Sequence, residues 1–282
     1  MYKILVKKTL APDIVLMDVD APRVAKSAQP GQFVMVRAHD RGERIPLTIC
    51  DFDPQSGVVT IVTQVVGAST RLICAKEAGD TLVDFVGPLG MASDFVHQPP
   101  ETVKTKRFLF IAGGVGAAPV YPQVKFLHRM GAHVDVLLAA KTKELLVLAD
   151  EMEAVCNHLY VATDDGSQGY HGLVTGLLKA HLSAGHPYDH AVAIGSMVMM
   201  KFVTLTAQTF NLPLTVSLNT IMVDGTGMCG ACRLTVAGKT KFACVDGPEF
   251  NAYEVDFDEA IRRQGMYRDM EVAADHKCKI GR

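Results

Sequence analysis

The densest metal-binding chemistry in the chain lies in Asp224-Gly225-Thr226-Gly227-Met228-Cys229-Gly230-Ala231-Cys232, followed by Cys244. Two thiolates separated by two residues can hold one iron or one zinc, because the intervening turn brings both sulfurs to one side. The glycines permit tight turns and leave amide N–H groups free to point at sulfur. Cys244 supplies a third sulfur after a hairpin-like stretch from Arg233 to Phe242. A two-iron cluster needs a fourth ligand, and two residues offer one: Asp224, ahead of Cys229 with a glycine behind it, and Cys278 near the C-terminus. Three cysteines and a gap equally suit a structural zinc site or a thioredoxin-like dithiol, so spacing alone leaves all three open.

A second group of residues suits phosphate. Ile111-Ala112-Gly113-Gly114-Val115-Gly116-Ala117-Ala118-Pro119 follows a predicted strand and opens a predicted helix. Glycines there let the backbone approach a pyrophosphate, and the helix N-terminus offers unpaired N–H groups and a favourable dipole. Pro119 fits the first turn, where its missing N–H costs nothing. The run departs from G-x-G-x-x-G, and a tight turn without ligand would look the same. Arg44-Ile45-Pro46-Leu47-Thr48 and Gly67-Ala68-Ser69-Thr70 are weaker signals. Each suits a phosphate or ring nitrogen, and each reads equally as a surface arginine beside a strand or an ordinary N-cap.

The elements that must position these residues fall into three segments. In the first hundred residues, Val15–Val19, Phe33–Arg37, Leu47–Cys50, Val58–Val65 and Thr81–Val86 are short strands punctuated by Pro, Gly and Asp, the pattern of a small antiparallel barrel. His97 to Glu101 reads as a linker. Strands at Arg107–Ala112, His133–Ala140, Leu159–Thr163, Ala191–Ile194 and Leu214–Leu218 then alternate with helical patterns at Pro119–Met130, Leu148–Val155, Leu173–Leu182 and Met197–Phe210. That alternation predicts a parallel, doubly wound sheet. From about Asn219 the chain is rich in Gly and Cys, then polar and acidic. It holds too few apolar residues for a core of its own, and a metal centre is the expected staple.

Composition excludes several classes. A net charge of −2 over 282 residues gives no basic field for nucleic acid or a membrane surface. No apolar run approaches the roughly 18 residues of a membrane span, and the start reads as a strand rather than a signal peptide, so a cytoplasmic protein is expected. Seven cysteines in a reducing compartment argue against a disulfide framework, and Cys50, Cys74 and Cys156, in or beside apolar runs, read as buried structural thiols. His128, His133, His158 and His171 are scattered and read as surface or core histidines. No Ser–His–Asp arrangement, paired-carboxylate motif or nucleophile elbow stands out.

Taken together, Arg44 to Thr48, Gly67 to Thr70, Gly87-Pro88-Leu89-Gly90, Gly113 to Pro119 and Gly195-Ser196-Met197-Val198-Met199-Met200 occur in an order that resembles the ferredoxin–NADP reductase superfamily. The Asp224/Cys229/Cys232/Cys244 segment makes the chain similar to electron-transfer subunits of class B dihydroorotate dehydrogenase, of sulfide dehydrogenase and of NADH-dependent reduced ferredoxin:NADP oxidoreductase. The resemblance covers essentially the whole chain. Dihydroorotate-type subunits carry cysteine at the first ligand position. Aspartate there, with Arg44 to Thr48 and Thr163-Asp164-Asp165-Gly166-Ser167, resembles the small subunit of the ferredoxin:NADP enzyme and its sulfide-dehydrogenase relatives.

The resemblance implies three units: an FAD-binding β-barrel over 1–98, an NAD-binding α/β domain over 104–218 and a 2Fe-2S segment over 219–282. It implies FAD at Arg44, Ile45, Pro46, Leu47, Thr48, Val62, Thr63, Gln64, Gly67, Ser69 and Thr70, with Thr48 beside flavin N5. It places NAD(H) at Gly113, Gly114, Val115, Gly116, Pro119, Asp164, Asp165, Gly195, Ser196 and Met199, and the cluster at Asp224, Cys229, Cys232 and Cys244. The implied partner is a larger flavin and iron–sulfur subunit that binds NADP(H) and, through it, ferredoxin, in an electron-bifurcating heterodimer. The dihydroorotate dehydrogenase subunit, and a nucleotide-binding regulatory module stapled by zinc, are the competing expectations.

Overall fold

Val, Ile and Phe at alternate positions build the first sheet, because one face of each strand must leave water. The computed structural model describes residues 1–279. Strands β1 (Tyr2–Ala11) and β2 (Ile14–Asp20) form a hairpin, followed by helix α1 (Pro22–Ser27) with proline at its start. Then come β3 (Phe33–Arg37), β4 (Ile45–Asp53), β5 (Val58–Gln64), helix α2 (Ala68–Cys74), β6 (Thr81–Leu82) and β7 (Asp84–Leu89). The sheet order is β6-β1-β2-β5-β4-β3-β7, and its two edge strands are consecutive in the chain, so the sheet curls into a nearly closed antiparallel barrel. Ile4, Met17, Val19, Val34, Val36, Ile49, Val59, Ile61 and Phe85 fill it. The single strand expected at Thr81–Val86 is divided at Val83, whose N–H bonds to the Arg37 carbonyl and turns the chain from one edge to the other.

Helix α3 (Pro100–Lys104) begins at the end of the expected linker, His97 to Glu101, and leads into the second sheet. There, β8 (Arg107–Gly113), α4 (Ala117–Arg129), β9 (His133–Ala140), α5 (Ala149–Glu153), β10 (His158–Thr163), β11 (Tyr170–His171), α6 (Val174–Ser183), β12 (His190–Ile194), α7 (Met197–Gln208) and β13 (Leu214–Ser217) alternate as expected, except that the two-residue β11, which the sequence did not announce, follows β10 directly. Strand order is β11-β10-β9-β8-β12-β13-β16, where β16 is Glu249–Asn251 of the last segment, and the sheet is parallel up to β13. Side-chain alternation divides its core. Phe108, Phe110, Val134, Val136, Val192 and Ile194 pack with Val120, Val124 and Leu127 of α4 on one side. Leu109, Ile111, Leu137, Ala191 and Ala193 face α6 and α7 on the other. Ile14, Cys50 and Val62 of the barrel join the α4 side, so barrel and sheet share a core.

The last segment comprises β14 (Arg233–Val236), β15 (Lys239–Phe242), α8 (Ala243–Asp246), β16 (Glu249–Asn251), α9 (Phe257–Gln264) and α10 (Arg268–Lys279). As expected, this segment makes no core of its own. Strand β16 adds antiparallel to β13, and Leu234, Val236, Phe250, Phe257 and Ala260 are buried in the core under α6 and α7. The segment borrows a hydrophobic face instead of making one. Helix α10 packs on α2 through Arg71 and Asp275, 3.0 Å apart. Cys50 and Cys74 are buried as expected, whereas Cys156 is only half-buried, since it lies past the end of α5. Among the described residues no helix is long and apolar enough to cross a membrane.

Candidate functional site

The glycine run after β8 becomes one tight turn leading into α4. A Cβ on Gly116 would lie 2.3 Å from the Ile194 carbonyl oxygen, so this position admits only glycine if α4 is to sit against β12. Gly114 has φ of +57° and open space where a side chain would be. A left-handed residue facing free space at a helix start is a cradle that suits phosphate. The turn stands where strand order reverses about β8, the switch point at which open α/β sheets bind ligands. Gly195, at the end of neighbouring β12, lies across that switch point, and the Met199 sulfur fits against both: a Cβ would lie 2.2 Å from it on Gly113 and 2.5 Å on Gly195. The Ser196 hydroxyl accepts from Met199 N at 3.2 Å and caps α7, so its first task is local.

Asp164 and Asp165 are exposed at the carboxyl end of β10. They differ. Asp165 Oδ1 accepts from the Ser167 hydroxyl at 2.6 Å and the Ser167 N–H at 3.0 Å, and these bonds hold its carboxyl below the ordinary range. Asp165 therefore makes a turn, while Asp164 directs its charge to solvent.

On the barrel, Ile45, Pro46, Leu47 and Thr48 are half-buried along β4, where Thr48 pairs with Phe33 of β3. Val62, Thr63 and Gln64 end β5, with Val62 and Thr63 buried. Arg44 donates to Asp84 Oδ2 from Nε at 2.8 Å, and its guanidinium remains about half exposed. Burial pushes the Asp84 carboxyl up, but the hydrogen bonds from Arg44 and Arg37 outweigh it and hold the group below its usual range. Thr70 Oγ1 accepts from the N–H groups of Val66 and Gly67, and Ser69 donates to Glu43 at 2.7 Å. These hydroxyls thus order their own turn, while Gly67 faces open space.

The barrel strands and the glycine turn are neighbours, because α4 packs along β4 and the turn touches β5. Lys125 of α4 pairs with Asp51 of β4 across this boundary. A junction that sequence reasoning missed lies beyond it. Glu249 Oε1 accepts from Gln123 Nε2 at 2.8 Å and from the Ser93 hydroxyl at 3.0 Å, joining β16, α4 and the loop after β7. Glu249 is half-buried by accessible surface but lies deep in the molecule, and that desolvation pushes its carboxyl up to about 7. An acid placed two residues after Asp246-Gly247 was the only signal available, and Gln123 carried none.

The sulfur-rich turn is pressed onto the barrel. Gly225 has φ of +77°, and a Cβ there would lie 2.8 Å from Leu89 and Met35 side-chain carbons. The candidate ligands form two pairs. The Cys232 and Cys244 sulfurs are 3.2 Å apart and buried. Asp224 Oδ2 accepts from Cys229 N at 3.1 Å and Oδ1 from Thr226 N at 2.8 Å, and Cys229 is exposed. The Thr226 N–H, then the Cys229 N–H, hold the Asp224 carboxyl low and ionised. No three of these ligand atoms lie within 4.8 Å of one another. A two-iron cluster takes two ligands per iron, so two separate pairs fit it better than a single tetrahedral zinc. At 3.2 Å the two sulfurs are far outside the 2.05 Å of a disulfide. Burial, then the Cys232 thiol, push Cys244 up to about 12, so it becomes a thiolate only beside a cation. Cys278 is half-buried on α10, the helix that packs against α2.

Residues 219–256 match the iron-sulfur cluster binding domain of dihydroorotate dehydrogenase B. A Thermotoga maritima protein described as a homolog of the dihydroorotate dehydrogenase B (NAD(+)) electron transfer subunit is 46% identical over 269 residues, covering 95% of this chain and 92% of that one. The chain belongs to this family of electron-transfer subunits. A Clostridium beijerinckii protein, described as an uncharacterized protein in the adh 3′ region, is 52% identical over 282 residues, covering 100% of this chain and 95% of its own. A solved structure of an NADH-dependent reduced ferredoxin-NADP oxidoreductase, from work on flavin-based electron bifurcation, is 43% identical. It superposes with a TM-score of 0.90 over 98% of this chain and 97% of that one. The superfamily expected from the motifs is therefore the chain's own, and this electron-transfer subunit is an oxidoreductase component. The candidate ligand run reads D-x4-C-x2-C followed by Cys244, the plant-type ferredoxin spacing with aspartate in the first place.

Proposed function

We propose that the chain takes hydride from NADH and passes single electrons to a larger flavin and iron–sulfur subunit that binds NADP(H) and, through it, ferredoxin. Bound FAD and a 2Fe-2S cluster supply the chemistry, respectively a two-electron acceptor and a one-electron carrier. The chain's own residues bind and orient. Gly113 to Gly116, with Pro119, receive the NADH pyrophosphate on the start of α4, Asp164 faces the ribose with Asp165 shaping its turn, and Gly195, Ser196 and Met199 border the nicotinamide. Arg44, Ser69 and Thr70 hold the FAD pyrophosphate, Ile45 to Leu47 and Val62 to Gln64 line the flavin, and Thr48 offers its hydroxyl at N5. Asp224 with Cys229 holds one iron, and Cys232 with Cys244 the other.

One arrangement carries this reading. The glycine turn of the parallel sheet abuts β5 beside β4, and the cysteine turn is pressed on Met35 of β3 and Leu89 of β7. Nucleotide turn, barrel and sulfur turn are thus contiguous, as a hydride-to-electron relay requires. The proposed units are 1–98 for FAD, 104–218 for NAD and 219–282 for the cluster, in a cytoplasmic heterodimer. The dihydroorotate dehydrogenase subunit is the second reading, favoured by the match over 219–256 and opposed by Asp224 in place of a first cysteine. Identification of the co-purifying subunit separates them. A large flavin and iron–sulfur protein with NADPH-dependent ferredoxin reduction is expected. A barrel-type flavoprotein that oxidises dihydroorotate would select the second reading, and a colourless, zinc-containing single chain would defeat both.

A further inference from the structure

The nucleotide turn lies at the carboxyl ends of the parallel strands, and the amino ends carry a different chemistry. His133 opens β9, Asp135 follows on the same face, and His158 opens β10 in register with Asp135. Asp135 is 1% exposed. Burial alone would push its carboxyl up, but three donors outweigh that and keep it ionised. They are the Tyr188 hydroxyl at 2.6 Å on Oδ2, and His158 Nδ1 at 2.9 Å and His133 Nε2 at 3.1 Å on Oδ1. Among the described residues no lysine or arginine pairs with Asp135. A buried carboxylate of this kind needs a compensating positive charge. A proton on one histidine or a bound cation would supply it.

We propose that His133, Asp135 and His158 bind one divalent ion of the zinc class. Their three ligand atoms lie within 4.8 Å of one another. Ligands about 2.0–2.1 Å from a tetrahedral zinc stand about 3.3 Å apart, so the observed 2.9 and 3.1 Å need only a few tenths of an ångström of opening. Two imidazoles and one carboxylate select zinc over calcium or magnesium, which take oxygen. The second Asp135 oxygen is fixed by Tyr188, whose hydroxyl meets His181 Nε2 at 2.6 Å, the kind of outer support that metal-binding carboxylates receive. His158 is 58% exposed, leaving an entrance and a place for water.

One group opposes the ion. Arg107 Nη2 lies 3.0 Å from His133 Nε2 and crowds the nitrogen that a metal would take. Its Nε is held by the Pro187 carbonyl at 3.0 Å and its guanidinium lies over the Tyr188 ring, so a rotation of the terminal nitrogens frees His133 without releasing the side chain. His186 stacks on His181 at 4.2 Å, Tyr160 packs between His158 and His181, and Cys156 and Asp189, the latter accepting from Arg107 N, complete the titratable groups around Asp135 on this edge. The ion would tie the starts of two neighbouring strands and leave the opposite edge to the nucleotide.

The test is a zinc titration of the full chain as purified, against a chromophoric chelator at pH 7.5, comparing wild type with His158→Ala and His133→Asn. All three proteins share whatever the cysteines bind, so the difference between them reports this site alone. Wild type should bind one zinc more per chain than either variant, with its visible spectrum unchanged, and Tyr188→Phe should weaken that zinc by about tenfold. His158→Ala also removes a donor to Asp135, so its unfolding midpoint in EDTA should fall modestly below wild type, and zinc should raise the wild-type midpoint but not that of the variant. Equal zinc stoichiometry and affinity in wild type and both variants would overturn the site. So would zinc uptake that occurs only with loss of the visible absorbance, since the cysteines would then be the binders.

Discussion

One added methyl group should act differently at each of three glycines between β8 and α4, because each faces a different neighbour. On Gly116 it would lie 2.3 Å from the Ile194 carbonyl oxygen and 2.8 Å from the carbonyl carbon. Both are backbone atoms of β12, so relief requires α4 and β12 to part, at about 1–3 kcal/mol or more. On Gly114 nothing lies within 4 Å, and the cost is the left-handed φ of +57°, about 1–2 kcal/mol. That methyl would project into the space assigned to the NADH pyrophosphate. On Gly113 it would meet the Met199 sulfur at 2.2 Å, and a flexible thioether can swing away. The assay pairs chemical unfolding with NADH-dependent reduction of an artificial acceptor. Gly116→Ala should lose the most stability. Gly114→Ala should raise the NADH KM about tenfold or more, which is about 1.4 kcal/mol of binding, with a smaller stability loss. Gly113→Ala should keep its stability and lose activity, partly restored by Met199→Ala. An unaltered NADH KM in Gly114→Ala would refute the assignment of this turn to the nucleotide.

Asp224→Ala should lose iron and alter the electron paramagnetic resonance of the reduced protein, whereas Cys278→Ala should leave both unchanged; an intact cluster in Asp224→Ala would return the fourth ligand to another residue. NADH should be preferred over NADPH, because a carboxylate accepts from ribose hydroxyls and repels a 2′-phosphate. Asp164→Asn should narrow the kcat/KM ratio more than Asp165→Asn, whose parent carboxylate is engaged by Ser167. Equal kcat/KM values for the two nucleotides in wild type would contradict this. Glu249, raised to about 7 by burial, binds its proton more tightly in the folded chain than in the unfolded one. Its contribution is therefore full below about pH 4.5 and is lost as pH rises through about 7. Glu249→Gln should gain stability relative to wild type between pH 5 and 8, by at most about 3 kcal/mol, and a pH-independent difference would count against a buried acid.

The parallel sheet was legible because strands covered on both faces are continuous apolar runs, such as Phe108 to Ala112 and Val134 to Ala140. The barrel was legible through its Pro, Gly and Asp breaks, though the division at Val83 depends on a bond to Arg37 that no local pattern announces. Strand β16 is three residues long and exists by pairing with β13, so it has no periodic signature, whereas Phe257, Ala260 and Ile261 of α9 stand at helical spacing in a run that is otherwise charged or polar. With so few apolar residues, the last segment read as lacking a core of its own and in need of a metal staple. In the candidate site, Cys229, Cys232 and Cys244 stood out by residue type and spacing, while spacing alone left Asp224 and Cys278 both open as the fourth ligand. The immediate bonds of Thr70, Ser196 and Asp165 were less so, since their oxygens serve neighbouring backbone N–H groups. The junction of Glu249, Gln123 and Ser93 draws on three distant segments and is visible only in three dimensions.

Anaerobic addition of NADH to the purified chain, followed by optical and electron paramagnetic resonance spectra and chromatography of the heat-released flavin, tests the electron relay directly. The account predicts released FAD, bleaching of its absorbance by NADH, and a paramagnetic signal from a reduced 2Fe-2S cluster that disappears in Cys232→Ala. A chain that releases no flavin, or FMN alone, or whose iron stays oxidised while NADH is consumed, would contradict it.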